Sequence, residues 1–299
     1  MNYEEFKMKV LEGLQEFYKD EAEIEICEVI KNNGKSYDGI RIKRKKFQCQ
    51  TIPIIEMDSF YRDYCNGEND IARSVKEIVE KRNSHVCPEE MEQFASKITD
   101  WEYVKENVYP ALLSTKENQQ LLENLVSVPL LDLSVIYIIR DDLSEGCRSS
   151  AKITKKMLEY CGVSKEQLHS HAIENLNKDG YEFQDIKALL KGLYYEAENE
   201  EEMETGMEMF VLTNASKVYG AAGILSKQLL KNFAGNRDFF ILPSSVHEWI
   251  FVPAVDKVAK QTFDNMVKEV NSEQVDVEER LSDHCYYYDA KENEVRMCA

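Results

Sequence analysis

Two hydrophobic periods alternate along this chain, and a fold built from one kind of element cannot accommodate both. In the first segment Tyr3, Phe6, Val10, Leu14 and Phe17 recur at intervals of three or four residues, the spacing that lines one face of an α-helix. The period then drops to two. Ile24 and Ile26 alternate with Glu23 and Glu25, and beyond Asn32-Asn33-Gly34 the run Ile40-Arg41-Ile42-Lys43 alternates again, so a pair of strands joined by a turn is expected. Helical spacing returns in Met57 to Tyr64, closed by Asn66-Gly67, and in Ile71, Val75, Ile78 and Val79, with Pro88 opening a further short helix.

In the middle of the chain an apolar strand is expected around Leu131 to Ile139. Two helices with legible ends follow. Thr154 precedes Met157, Leu158 and Cys161, and Gly162 is placed to stop the first; Ser164 with Gln167 makes a capping box for the second, whose stripe is Leu168, Ala172 and Leu176. Glu196 to Glu208 holds seven glutamates and no basic residue, which reads as a solvated, mobile surface segment. The last third reads as a strand from Met209 to Leu212, a turn from Gly220 to Gly223, a helix from Ile224 to Phe233, and strands near Phe239 to Leu242 and Ser245 to Val252. A helix bearing Val255, Val258, Phe263, Met266 and Val270 comes next, then a hairpin setting Tyr286-Tyr287-Tyr288 against Val295. Strands and helices are interspersed without a βαβ repeat, so the expected class is α+β with mainly antiparallel strands. Element order alone suggests two lobes, residues 1–110 and 111–299, because no Pro- or Gly-rich linker marks a boundary.

Composition narrows the function. The 299 residues carry 55 Asp and Glu against 37 Lys and Arg, a formal charge of -18. Proteins that coat nucleic acid draw their sequence-independent affinity from Lys and Arg on phosphates, so nucleic-acid binding is not the expected role. The one basic cluster, Arg41, Lys43, Arg44, Lys45 and Lys46 before Phe47, would present only alternate members on one face of a strand, where it blunts edge pairing. The longest apolar run, Val128 to Ile139, is interrupted by Asp132 and Ser134 and falls well short of the roughly 20 residues that span a bilayer. Met1 to Val10 carries Glu4 and Glu5 where a secretory signal needs a basic start. The eight cysteines stand singly, without a Cys-x-x-Cys pair, which fits a reducing cytoplasm better than a disulfide framework.

Five residues invite a chemical reading. Pro243-Ser244-Ser245-Val246-His247-Glu248-Trp249 brings a hydroxyl, an imidazole and a carboxylate together, as a hydrolase would. If Ser245 to Val252 is one strand, however, Ser245 and His247 face one way and Glu248 the other, and no Gly-x-Ser-x-Gly elbow is present. A structural histidine is the favoured reading. Asp132, inside Leu130 to Ile136 and sharing a strand face with Ser134, must be hydrogen-bonded or paired; a structural carboxylate is weighed against a general base of raised pKa. Asn214, followed by Tyr219-Gly220-Ala221-Ala222-Gly223, could offer backbone N–H groups to an anion, against the commoner reading of a tight turn. His169 and His171 are two apart on a helix, roughly 200° around its axis, and cannot share one ion. Asn175, Asn177, Asp179 and Gly180 open like a calcium loop but reach Ile186 where a bidentate Glu is required. Gly34-Lys35-Ser36 lacks the first glycine of a phosphate loop, its place being taken by Val29. No cofactor or metal is expected.

Several stretches together are familiar. Pro53-Ile54-Ile55-Glu56-Met57-Asp58-Ser59-Phe60-Tyr61, Leu131-Asp132-Leu133, Met157-Leu158 with Gly162-Val163-Ser164, Val211-Leu212-Thr213-Asn214 with Gly220-Ala221-Ala222, Leu242 to Glu248, Leu281-Ser282-Asp283 and Tyr286-Tyr287-Tyr288 resemble the bacterial domain-of-unknown-function family 5688 over nearly the whole chain. More remotely, Leu168 to Leu176 is similar to another uncharacterised family of Gram-positive bacteria. The resemblance implies a cytoplasmic protein of anaerobic, gut-type Gram-positive bacteria, often encoded on plasmids or conjugative elements, and supplies no catalytic residues. Trp249 stands where a smaller aliphatic residue is usual in that family, and Leu130 where a polar or basic one is. The function expected from all of this is a soluble, non-enzymatic accessory protein whose partner presents a basic surface. The rival is a small-molecule hydrolase or transferase using Ser245, His247, Glu248, Asp132 and Asn214.

Overall fold

In the computed structural model, which describes residues 1–45, 51–84, 89–142, 148–193, 208–254 and 260–298, the first helix forms where its spacing asks for it. Asn2 and Glu5 exchange side-chain and backbone hydrogen bonds in a capping box that opens α1 (Tyr3–Tyr18). Its buried face is Phe6, Val10, Leu14 and Tyr18; Phe17, expected on that face, is 58% exposed because steps of four carry the stripe past it to Tyr18. Strands β1 (Ala22–Ile30) and β2 (Ser36–Arg44) pair antiparallel with Ile24 opposite Ile42 and Ile26 opposite Ile40, so the alternation puts all four isoleucines toward the helix side. The turn between them holds Asn33 at φ 57°, a left-handed conformation that Asn tolerates. β3 (Ile54–Glu56) joins the free edge of β2, and α2 (Asp58–Cys65) and α3 (Ile71–Ser84) close a core of Phe6, Leu14, Ile40, Met57, Phe60 and Ile78.

Helices α4 (Glu89–Lys97) and α5 (Trp101–Asn107) lead into the second sheet. It comprises β4 (Val108–Ser114), then, after α6 (Gln119–Leu122), β5 (Ser127–Leu130), β6 (Leu133–Asp142) and β7 (Arg148–Lys152). β6 is central, with β4 on one side and β5 and β7 end to end on the other, all antiparallel. Pro110, where element order suggested a lobe boundary, sits inside β4 opposite Tyr137. The expected strand from Leu131 begins instead at Leu133: Leu130 pairs with Leu133, and Leu131-Asp132 is the two-residue turn between β5 and β6. Leu131 has φ 55° and is exposed.

The helices with legible caps form as expected. Thr154 caps α7 (Lys155–Cys161), which Gly162 ends at φ 67°, and Ser164 with Gln167 caps α8 (Lys165–Leu176). Leu168, Ala172 and Leu176 are buried where α8 packs on β4. The third sheet takes β8 (Glu182–Asp185), β9 (Phe210–Thr213), β10 (Phe239–Ser245), β11 (Glu248–Pro253), β12 (Tyr286–Asp289) and β13 (Glu294–Met297), in the order β13-β12-β10-β11-β9-β8. Helices α9 (Ile186–Leu193), α10 (Lys227–Ala234) and α11 (Lys260–Glu273) connect them. The expected helix from Ile224 is split: a buried 3₁₀ segment, Gly220–Leu225, precedes the Ser226 cap of α10. A Cβ on Gly220 would fall 2.4 Å from the His247 carbonyl oxygen, so this tight segment admits only glycine there. The closing hairpin sets Tyr288 opposite Val295, as read from the sequence.

Among the described residues every sheet is antiparallel, and the class is α+β. The second and third sheets share one apolar core, running from Val104 and Tyr137 through Ala221 and Ile224 to Trp249 and Tyr286. No helix of the described residues is long and apolar enough to cross a membrane. The acidic stretch falls outside the described residues except for Glu208, which pairs with Arg237.

Candidate functional site

The Pro-Ser-Ser-Val-His-Glu segment is a hairpin rather than the start of a strand. β10 continues through Pro243 and Ser244 to Ser245, Ser245 pairs with Glu248, and Val246-His247 is the turn, with a register shift between Pro243 and Ser245. The turn is held from three sides. Val246 N–H donates to the Glu279 carbonyl at 2.8 Å, and Ala221 N–H donates to the Val246 carbonyl. Thr213 Oγ1 donates to the His247 carbonyl.

The side chains of this turn are committed in the same way. Ser245 Oγ accepts the His247 backbone N–H at 3.0 Å. Glu248 accepts the hydroxyl of Ser244, not of Ser245, at 2.9 Å. His247 Nδ1 accepts the backbone N–H of Tyr219 at 3.0 Å, which assigns the hydrogen of the neutral ring to Nε2, and Nε2 faces Glu279 Oε1 at 3.6 Å. A serine nucleophile needs an imidazole nitrogen with an open lone pair in reach. Here the lone pair is occupied by a main-chain donor and the other nitrogen carries the hydrogen.

Asn214 is buried at 1% exposure and organises its own loop. Its Nδ2 donates to Asp179 Oδ2 and to the Val218 carbonyl, and its Oδ1 accepts from Val218 N–H and Ser216 Oγ. Asp179 in turn pairs with Arg140 at 2.8 Å, whose guanidinium lies 3.6 Å from the centre of the Tyr109 ring. This network fixes the 214–218 loop against β6, and none of these hydrogen bonds goes to the His247 side chain.

Asp132 lines a polar cleft of about 340 Å³ with Lys116, Arg280, Ser282, Asp283 and His284 around it, and none of the other four residues lines that cleft. Both carboxylate oxygens are positioned: Ser282 Oγ donates to Oδ2 at 2.9 Å and Tyr286 OH to Oδ1 at 2.5 Å. Ser282 Oγ itself accepts the His284 N–H at 3.1 Å, and Asn271 Nδ2 bridges the Ser282 carbonyl and Asp283 Oδ1. Burial, and then the Asp132 carboxylate, push the Tyr286 phenol well above its ordinary pKa, so it stays neutral and keeps donating. Each carboxylate oxygen has two lone-pair sites, and one on each remains for whatever enters. The buried Trp249 ring meets Tyr286 edge-on at 5.2 Å and donates its indole N–H to the Ala221 carbonyl, so the large residue after the His-Glu pair braces the cleft's tyrosine from behind.

A larger groove of about 550 Å³ runs along α8 past Val128, His169 and Ile173 and contains none of the five. His169 Nδ1 is bonded to the Tyr137 hydroxyl at 2.9 Å, while His171 turns away to the edge of Trp101. Among the described residues no three His, Cys, Asp or Glu side chains are grouped to hold a metal ion. In the basic cluster Arg41 pairs with Glu25 and Lys43 with Glu23 across β1 and β2; Lys46 and Phe47 lie outside the described residues.

Ser282, Tyr286, Arg280 and Lys116 are not among the residues the sequence offers for chemistry, and His284 enters there only beside Cys285, as a metal pair split across a strand. Ser282 and Tyr286 lie 150 and 154 residues from Asp132, beyond any spacing rule; the only signal was that Leu131-Asp132-Leu133, Leu281-Ser282-Asp283 and Tyr286 all carried the family resemblance. No curated protein and no solved structure matches the chain. Residues 3–290 match the model of a family described as "Family of unknown function (DUF5688)"; with nearly every element described above inside that span, the chain belongs to this family.

Proposed function

We propose that this chain is a non-enzymatic binding protein of the bacterial cytoplasm that takes up a basic segment of a protein partner, with the Asp132 cleft as the point of contact. The observation that carries this reading is the Asp132 carboxylate, fixed by two hydroxyls and open on its remaining lone pairs. A preoriented carboxylate is matched by an ammonium or guanidinium head group. Asp283 stands beside it, while Lys116 is drawn to Glu117 at 3.2 Å and Arg280 Nε donates to the Val275 carbonyl. The formal charge of -18 raises the local concentration of cationic partners around the whole molecule. A cleft of this volume sits at the small end of ligand sites, about 300–1,000 Å³, and suits one long side chain.

The hydrolase or transferase reading loses support because Ser245, His247, Glu248 and Asn214 each satisfy a neighbour's backbone or side chain and Asp132 stands in a separate cleft. Fluorescence anisotropy with Lys- and Arg-containing peptides separates the two. Binding that weakens with salt and falls at least about tenfold in Asp132→Asn, a loss of about 1.4 kcal/mol, but not in the surface control Glu25→Gln, supports the binding reading. Equal affinity of Asp132→Asn and the parent chain would sink it, as would turnover of an ester, amide or phosphate substrate that disappears in His247→Ala.

A further inference from the structure

Two of the cysteines are placed as a pair, away from the cleft and on a different feature of the fold. Tyr286 faces Met297 in the last hairpin, so the next rung outward sets Cys285 opposite Cys298, and Cys298 N–H donates to the Cys285 carbonyl at 3.2 Å. Their sulfurs are 3.0 Å apart. Both residues are buried, at 0% and 6% exposure, among Leu242, Val252, Phe263 and Val267. The backbone at Cys285 is fixed independently, its N–H donating to Asp264 Oδ1 at 2.8 Å. The strand register and a side-chain anchor therefore hold the two backbones side by side. A disulfide would draw the sulfurs together to about 2.05 Å. Among the described residues, Cys27, Cys65 and Cys161 stand on other elements, β1, α2 and α7.

We propose that Cys285 and Cys298 are a redox-active pair, closed to a disulfide by exchange with a low-molecular-weight disulfide and reopened by small thiols. In the first step one cysteine gives its proton to solvent and its sulfur attacks the small disulfide; that S–S bond breaks, a mixed disulfide forms and one small thiolate leaves, taking up a proton. The second cysteine then loses its proton and attacks the protein sulfur of the mixed disulfide. The Sγ–Sγ bond forms and a second small thiol departs. Two protein thiols are oxidised, one small disulfide is reduced to two thiols, and the protons balance. The hydrogen bond to Cys298, and then burial, push the Cys285 thiol up, so exchange waits on fraying of the hairpin's end and is slow by the standard of exposed thiols. Once closed, the bond staples β13 to the segment whose preceding residues, Ser282 to His284, wall the cleft.

The test equilibrates the full chain in glutathione buffers graded from reduced to oxidised, followed by acid quenching, alkylation and peptide mapping without reduction. The expected result is a Cys285–Cys298 linked peptide that rises sigmoidally with oxidised glutathione, accompanies the loss of two hydrogens in intact mass, and vanishes on adding dithiothreitol. In Cys298→Ala the linked peptide is absent and only a glutathione adduct at Cys285 remains. Recovery of both peptides in alkylated form from the most oxidising buffer would overturn the proposal, and so would linkage of Cys285 to any other cysteine. The map of the unaltered chain decides the matter even if the variant does not fold.

Discussion

Asp132 shows how much can rest on one carboxylate. Replacing it by Ala leaves the hydroxyl of the fully buried Tyr286 without its acceptor and frees Ser282; a stranded buried donor costs about 1–3 kcal/mol. A matching fall in unfolding free energy, measured by urea titration, is expected for Asp132→Ala, with a smaller one for Asp132→Asn, which keeps one acceptor. A second residue-scale prediction concerns alkali. Partial burial, then the hydrogen bond to Asp238, push the Tyr287 phenol up to about 12, against about 10 for an unfolded tyrosine. A raised folded pKa means that the folded chain holds the proton longer, so this contribution to stability is complete below pH 10 and is lost as pH rises from 10 toward 12. The phenolate absorbance difference between the parent chain and Tyr287→Phe should titrate near 12; a midpoint at 10 would refute the assignment. Little of this was legible beforehand. That Asp132 had to be satisfied follows from its apolar neighbours, but the hydroxyls that satisfy it arrive from 150 residues away, where no local pattern points.

At the scale of elements, the sequence spoke clearly wherever a cap or a period was involved. The α1 stripe apart from Phe17, the β1–β2 pair and the caps of α7 and α8 depend on residues within a few positions of each other, and they form where expected. The turns were misplaced for a physical reason. Two-residue hairpin loops advertise themselves through Gly or Asn-Gly, yet the β5–β6 loop is Leu131-Asp132 and the β10–β11 loop is Val246-His247. Neither carries that signal, so both loops were read as parts of strands. Leu131 has positive φ and Asp132 does not, the pattern of a type II′ turn, whose first position favours glycine. Since Leu131 is 45% exposed, Leu131→Gly sacrifices little packing and removes backbone strain of about 1–2 kcal/mol, offset in part by glycine's extra unfolded-state entropy. A net rise of about 0.5–1 kcal/mol in stability is expected from thermal or urea unfolding, and a fall would show that the side chain packs better than its exposure suggests.

For the whole molecule, the apolar clusters change over between Val79 and Phe94: Phe6 to Val79 form one, Phe94 to Tyr288 the main one, and Leu242, Val252, Phe263, Val267, Cys285 and Cys298 a smaller third on the same C-terminal side. We propose two lobes divided there, not at 110, which lies within β4. Brief proteolysis should leave a protected fragment that begins between Val79 and Phe94, and first cleavage inside β4 would contradict the division. The β1–β2 turn is one bridge between the first cluster's elements and the rest, alongside the bond from Thr51 Oγ1 to Glu92. Asn33 Nδ2 donates to the Val277 and Arg280 carbonyls at 2.6 and 2.7 Å, its backbone N–H donates to Asn118 Oδ1, and its Oδ1 accepts from Asn118 Nδ2. Asn33→Gly keeps the backbone conformation and the N–H bond to Asn118 but deletes the three side-chain bonds, so it should cost about 2–3 kcal/mol and speed hydrogen exchange at 277–280 above all. This keyed turn also bears on synthesis at the ribosome. Asn33 and Arg280 are 247 residues apart, and at about 5–20 residues per second the turn emerges roughly 12 to 50 seconds before its acceptors exist. The partners at Asn118 emerge only 85 residues after the turn, so a chain cut short before residue 277 would keep those bonds available while Asn33 Nδ2 lacked both of its carbonyl acceptors.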